Sequence, residues 1–262
     1  GYYSKMIPDV KYFKIRKILI TPNMILFRED LPEEGNRMLD KFKDKVKNFI
    51  RVTFTDNDGK SCNYAMTDGY RIVDEYIKDI LLKGIAIFNE KYEFVIYSNS
   101  QIKDHSVWFA KKDKNFSPSK YFESVGYFDK EQSISKKLSR IGLLCTTASK
   151  VCKIENIKIE KDIELKDQSN YIKYLGLEKK EQILLTDGCG KISGDILKII
   201  KDSNNISDEV SAIQFRMGAS KGTLILDKSL DLSTVVLRPS LIKFEEKDCE
   251  EICPHNQLCS LR

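Results

Sequence analysis

Thr186-Asp187-Gly188-Cys189-Gly190-Lys191-Ile192-Ser193-Gly194-Asp195 and, a helix later, Gln214-Phe215-Arg216-Met217-Gly218-Ala219-Ser220-Lys221-Gly222-Thr223 are the stretches on which the reading of this chain turns. Each joins Gly and Lys at the expected end of a short strand. Glycine lets a backbone approach a phosphate closely, and a lysine at the same turn supplies a compact positive charge. Neither stretch is a Walker A loop, which needs Gly, any four residues and then Gly-Lys-Ser/Thr ahead of a helix. Taken singly, each reads as a turn with a solvated lysine. Taken together, and with Leu237-Arg238-Pro239-Ser240-Leu241-Ile242-Lys243-Phe244 close behind, they keep a shared phosphate site in view.

The surrounding pattern is rich in strands. Beyond Cys145, Ile157 to Leu165 alternates isoleucine with charge, and Gln182 to Leu185 is short and apolar. Ala212 to Met217, Thr223 to Leu226 and Val235 to Leu237 read as extended, with one helix over Gly194 to Lys201. Short strands, Gly-containing turns and a single helix predict a small β-barrel rather than an open alternating sheet. The fold class is therefore α+β and β-rich, with flanking helices and hairpins.

Upstream, Tyr12 to Phe27 reads as two strands about a Thr21-Pro22-Asn23 turn. Leu39, Phe42, Val46 and Phe49 recur at helical spacing, which predicts an amphipathic helix from Asn36 to Asn48. Ile50 to Phe54 is a strand that ends in an Asp56-Asn57-Asp58-Gly59 turn. Ile72, Val73, Tyr76, Ile77, Ile80 and Leu81 form the apolar stripe of a helix stopped by Gly84. Ile85 to Phe88 and Tyr92 to Tyr97 read as a hairpin turning at Asn89-Glu90-Lys91. Lys111 to Lys120 reads as an exposed loop. A short helix then starts at an N-cap Ser133 and buries Ile134, Leu138 and Ile141. Two regions are expected, residues 1–125 as a supporting helix and hairpin region and residues 126–262 as the lysine-bearing barrel.

At 262 residues, 41% hydrophobic and 32% charged, the chain has the composition of a globular protein. Lys plus Arg exceeds Asp plus Glu by 44 to 39, a net charge of +5. So small an excess permits an anionic partner without demanding one, and the position of each cation decides. The cysteine count is 7 and their spacing irregular, with no signal peptide at the start. Reduced thiols inside the cell, in nucleus or cytoplasm, are expected. Apolar runs such as Ile18 to Ile20 are too short to cross a bilayer, so no membrane partner is expected. A start at Gly1 and a Cys-rich end predict a piece of something longer.

Cys249, Cys253, His255 and Cys259 crowd four potential zinc ligands together without the paired Cys-x2-Cys spacing, and ligands so crowded would strain a tetrahedral site. His105 reads as structural, since no nucleophile elbow surrounds any serine. Trp108-Phe109 and Tyr121-Phe122 have the means to stack bases, although aromatic pairs near strands are ordinarily core.

In order along the chain stand Asn36-Arg37-Met38-Leu39, Phe49-Ile50-Arg51-Val52-Thr53-Phe54, Tyr92 to Gln101 with His105 and Trp108-Phe109, and Arg140-Ile141-Gly142. Then come the two lysine stretches and Arg238-Pro239-Ser240 with Lys243-Phe244. As an ordered set they resemble the eukaryotic, RNA-silencing type of RNA-dependent RNA polymerase. That resemblance implies a double-psi β-barrel, the first of two in the polymerase core. It implies catalytic roles for Lys191 and Lys221, and contacts to nucleotide or RNA from Arg216, Gly222, Arg238 and Lys243. It implies RNA template, nascent RNA, nucleoside triphosphates and the remainder of a polymerase chain as partners, with Mg²⁺ as cofactor. The family's Asp-x-Asp-Gly-Asp metal loop does not occur in this sequence. Asp56-Asn57-Asp58-Gly59-Lys60 is the nearest string, and it has Lys in place of the third carboxylate. No metal ligand is therefore expected here, and the Mg²⁺ site is expected on the second barrel, outside this chain. A non-catalytic nucleic-acid-binding module and a small nucleotide-binding enzyme of another kind are the competing readings.

Overall fold

A computed structural model describes residues 11–62, 72–114, 117, 126–128, 133–146, 149–165, 183–246 and 257–260. The chain divides into two compact units, chiefly Val10–Thr147 and Ala148–Glu245 with Cys253–Arg262. No described helix is long and apolar enough to cross a membrane.

In the first unit, β1 (Tyr12–Ile20) turns back into β2 (Ile25–Phe27). The Thr21 hydroxyl holds the turn by accepting from the backbone N–H groups of Asn23 at 3.3 Å and Met24 at 3.1 Å. After β3 (Leu31–Glu34) comes α1 (Arg37–Lys41), where the Asn36 side chain caps Leu39 N–H at 3.0 Å. The expected helix to Asn48 is not continuous. It breaks at Phe42 and continues as a 3-10 turn over Lys43–Asn48. Asp113 explains the tightening, because Lys45 Nζ and Asn48 Nδ2 both donate to its Oδ2 at 2.8 Å.

β4 (Phe49–Phe54) then lies parallel to β1. A π-turn over Ile72–Ile77 leads into α2 (Lys78–Lys83), which Gly84 ends at φ 81°. β5 (Ile85–Ile87) and β6 (Glu90–Ile96) turn at Phe88-Asn89, both at positive φ, earlier than the Asn89-Glu90-Lys91 turn expected. The register that opposes Ile85 to Tyr92, both in the core, outweighs the turn preference of Glu90 and Lys91. α3 (Asn99–Lys103) carries a Ser98–Gln101 capping box, and β7 (Ser106–Lys111) follows. The sheet order is β2-β1-β4-β7-β6-β5, with β3 beside β1. Its core joins Ile18, Ile50, Val52, Val107 and Phe109 to Ile77, Ile85, Ile87 and Tyr92. Trp108 is buried and donates to Gln101 Oε1 at 3.1 Å, and Phe109 is also buried, so this pair belongs to the core. Tyr121-Phe122 and half of the loop from Lys111 to Lys120 lie outside the described residues.

β8 (Gly126–Tyr127) precedes α4 (Ile134–Ile141), which Ser133 caps as expected. Ile141 is buried, but Ile134 is 76% exposed. It stands in the first turn, one residue from the cap, where the stripe has already run out of core to meet.

The second unit is a seven-stranded mixed sheet in the order β10-β14-β11-β13-β12-β16-β9. Its strands are β9 (Ser149–Lys153), β10 (Asn156–Ile159), β11 (Cys189–Ile192), β12 (Ala212–Met217), β13 (Ser220–Leu226), β14 (Thr234–Leu237) and β16 (Gln257–Ser260). α5 (Gly194–Asn204) sits between β11 and β12, and the two-residue strand β15 (Glu245–Glu246) follows β14. β10 with β14 and β11 with β13 are parallel pairs. Ile192, Ile213, Phe215, Leu224, Val235 and Leu237 meet Ile196, Leu197 and Ile200 of α5 in one core. β10 is shorter than the expected Ile157 to Leu165 strand, and Glu164 returns only as a bridge to Leu184. The described architecture is mixed α+β and rich in strands.

Candidate functional site: a basic sheet face

Both lysines lie within strands rather than in loops. Lys191 is in β11, and Gly218-Ala219 is the hairpin turn that sends Lys221 into β13. The register assigns their faces. Lys191 is level with Ile225 on parallel β13 and opposite Val236 on β14. Lys221 stands opposite Arg216 on β12. Side chains alternate across a sheet, so Lys191, Lys221, Arg216 and Arg238 share one face. The core of Ile192, Leu224, Val235 and Phe215 occupies the other. Lys221 precedes Ile225 by four positions, so the backbones bearing the two lysines stand roughly 13–14 Å apart across the sheet.

Among the described residues, the charges that act on Lys221 are of one sign. Burial first, then the charges of Arg216 and Lys243, push its amine below the ordinary lysine range. Among the described residues no carboxylate pairs with Lys221. Lys243 is drawn in by its own backbone N–H, which donates to Ala219 O at 3.0 Å, while its amine donates to Ser240 O. Gly222 is needed for closeness: a Cβ there would strike the Gly188 carbonyl oxygen and Leu241.

Lys191 has different company. Its amine lies 3.4 Å from both Glu160 and Asp227. Glu160 also pairs with Arg238 at 3.3 Å, and Arg238 Nη1 donates to the Cys189 carbonyl at 2.8 Å. Hydrogen bonds from the Ser229 side chain and backbone, then the charge of Lys191, hold Asp227 below the usual carboxylate range. Asp162 ties the flanking turns together. It accepts from Ser240 N at 2.9 Å, Ser240 Oγ at 2.8 Å and Thr186 Oγ1 at 3.0 Å, while Ser240 Oγ accepts from Gly188 N. Burial alone would raise the Asp162 carboxyl, but the Ser240 and Thr186 hydrogen bonds and the Arg238 charge hold it low.

Lys191, Lys221, Arg216, Gly222, Arg238 and Lys243 thus gather in one unit, on and beside one sheet face. Glu160, Asp162 and Asp227 are additions that the sequence reading missed. The signal for the first two was the acidic alternation after Ile157, which reads as a solvated strand face until β14 is placed beside it.

Several other residues have structural work. Asp195 accepts from Ser193 Oγ at 2.6 Å and Ser233 N at 2.9 Å. Asp56 to Lys60 closes as a turn, with Gly59 at φ 78°. His105 approaches Ser61 Oγ through Nδ1 at 3.3 Å. Cys249, Cys253 and His255 lie outside the described residues, and Cys259 is in β16. Among the described residues no group of three or more His, Cys, Asp or Glu is placed to hold a metal ion. The carboxylates nearest the lysines do not fit a divalent cation, because Glu160 and Asp227 already face Lys191 and Arg238.

Comparison with known proteins gives a consistent result. A family model described as RNA dependent RNA polymerase matches residues 20–260. RNA-dependent RNA polymerase 1 of Schizosaccharomyces pombe is 31% identical over 216 residues, covering 81% of this chain and 16% of that protein. RNA-dependent RNA polymerase 2 of Arabidopsis thaliana is 26% identical over 258 residues, covering 93% of this chain and 22% of that protein. Among solved structures, the RNA dependent RNA polymerase QDE-1 from Thielavia terrestris aligns with a TM-score of 0.64 at 18% identity. That alignment covers 95% of this chain and 28% of the other. The chain therefore spans about a quarter or less of the length of these two curated relatives, and it belongs to the RNA-dependent RNA polymerase family.

Proposed function

We propose that this chain is the part of an RNA-directed RNA polymerase that presents cations to the phosphates of nucleotide and RNA during complementary-strand synthesis in gene silencing. The observation that carries this reading is the single basic face of the second unit. Nucleotidyl transfer builds negative charge on phosphate oxygens, and cations fixed in advance near that charge stabilise it. Lys221 suits the role because it is partly desolvated beside Arg216 and Lys243. A phosphate there relieves repulsion among three cations as it binds. Lys191 and Arg238 lie further along the same face, and Gly222 lets a backbone come close.

On this reading the seven-stranded sheet is the first double-psi β-barrel, which its two parallel pairs support. The unit before it supports the core. Magnesium would be held by carboxylates of a second barrel in the longer chain, and no step is assigned to it here. RNA template, nascent RNA, nucleoside triphosphates and that remaining chain are the partners, acting in the nucleus or cytoplasm.

The test uses a polymerase that carries this segment. Lys221→Ala is expected to slow nucleotide addition about a hundredfold or more, from about 2.7–4 kcal/mol of lost transition-state stabilisation, with the fold intact. Lys191→Ala should also slow addition. The 262-residue chain alone should incorporate no nucleotide. Extension at the normal rate by the double variant would leave a non-catalytic binding module as the better reading.

A further inference from the structure

The basic face is divided electrostatically. At Lys221, flanked by the cations of Arg216 and Lys243, no carboxylate pairs with the amine among the described residues. Lys191 and Arg238 form a part already occupied by acid: Glu160 bridges both cations, and Asp227 approaches Lys191 from β13 at 3.4 Å. The register makes this arrangement structural. Glu160 N donates to Leu237 O at 2.9 Å and Asp227 N to Ile192 O at 3.0 Å, which seats each acid beside its cation at a strand end. Glu160 and Lys191 are both partly exposed, so an incoming anion can reach them.

Resting on the reading proposed above, we infer that Glu160, assisted by Asp227, is a phosphate stand-in that keeps Lys191 engaged until an RNA phosphate displaces it. Phosphate binds first at Lys221, which has no carboxylate among the described residues to release. Engagement of Lys191 requires the Glu160 carboxylate to swing into solvent, so it follows only when a chain of phosphates extends along the face. Glu160 therefore limits affinity for a short anion and favours a ligand long enough to span both parts. The offset of roughly 13–14 Å between the lysine backbones suits a run of linked phosphates.

Binding of a fluorescent single-stranded RNA to the 262-residue chain tests this, measured by anisotropy across a salt series. Glu160→Gln is expected to tighten binding about two- to fivefold, the scale of a partly exposed ion pair removed from competition. The slope of log affinity against log salt should hold, because an RNA phosphate meets Lys191 in both forms. In the Glu160→Gln, Lys191→Ala double variant the gain in affinity should vanish. Asp227→Asn provides the same readout should Glu160→Gln not fold. Unchanged or weaker binding by these carboxylate variants overturns the inference. So does a gain that persists without Lys191, which would mean that Glu160 merely repels RNA at a distance. The proposed function has its own arm: RNA binding indifferent to Lys221→Ala counts against the basic face itself, whatever Glu160→Gln does. Absence of RNA binding by every form overturns both.

Discussion

Lys221, the residue proposed to meet phosphate, departs from what stability favours. Its amine is partly buried beside Arg216 and Lys243, and each of these lowers its affinity for a proton. The folded chain therefore releases that proton more readily than the unfolded chain does. Across the interval between the depressed value and the unfolded value near about 10.4, the unfolded state holds more protons and stability rises with pH. Below that interval, at neutral pH, the folded state carries the full cost of the charge. Lys221→Met is accordingly expected to leave the denaturation midpoint at pH 7 unchanged or raised, while RNA affinity falls. A loss of more than about 1 kcal/mol in urea denaturation would mean that Lys221 holds the fold together rather than awaiting an anion. Asp162 also gains stability as pH rises, but in the acid range, so at neutral pH it stabilises where Lys221 costs. Its lowered carboxyl contributes stability at neutral pH that is lost as pH falls through its folded value, below about 4.

Among the elements, the segment ending at Gly84 tests how apolar spacing translates into burial. Ile77 closes the π-turn and reaches the first unit's core beside Ile85, Ile87 and Val107, at 9% exposure. Ile77→Ala should cost about 2–5 kcal/mol in chemical denaturation, the usual range for truncating a buried aliphatic side chain. The neighbouring Lys78 points outward, and Lys78→Ala should stay within about 0.5 kcal/mol. Equal effects from the two would mean that the stripe does not face the core. This stripe was legible because the requirement was local: repeated apolar residues followed by a glycine. The segment after Asn36 had similar spacing and broke at Phe42, because a distant acid, Asp113, draws in Lys45 and Asn48.

For the molecule as a whole, the net charge of +5 says less than its distribution. Arg216, Lys221, Lys243, Lys191 and Arg238 stand together on one unit, so a small global excess becomes a concentrated local field. RNA binding should weaken as salt rises, and Lys221→Ala should flatten the salt slope by about 0.7, one phosphate contact on a single strand. Lys78→Ala, in the other unit, should leave that slope as it was. An equal change from both variants would mean that binding follows total charge rather than the basic face.

The amino-acid sequence by itself determined the β-rich class, the positions of β12, β14 and most hairpin strands, the cap at Ser133, and the cations that gather as the candidate site. These depend on neighbours within a few positions, where periodicity, capping chemistry and glycine placement act directly. Only the tertiary structure decided that both lysines stand in strands rather than loops, that Arg216 faces Lys221, and that Glu160 and Asp227 hold Lys191. Sheet register brings residues from 160, 191, 227 and 238 to one place, and no local pattern encodes which strands become neighbours. The same register separates Lys191, held by two carboxylates, from Lys221, which has none among the described residues.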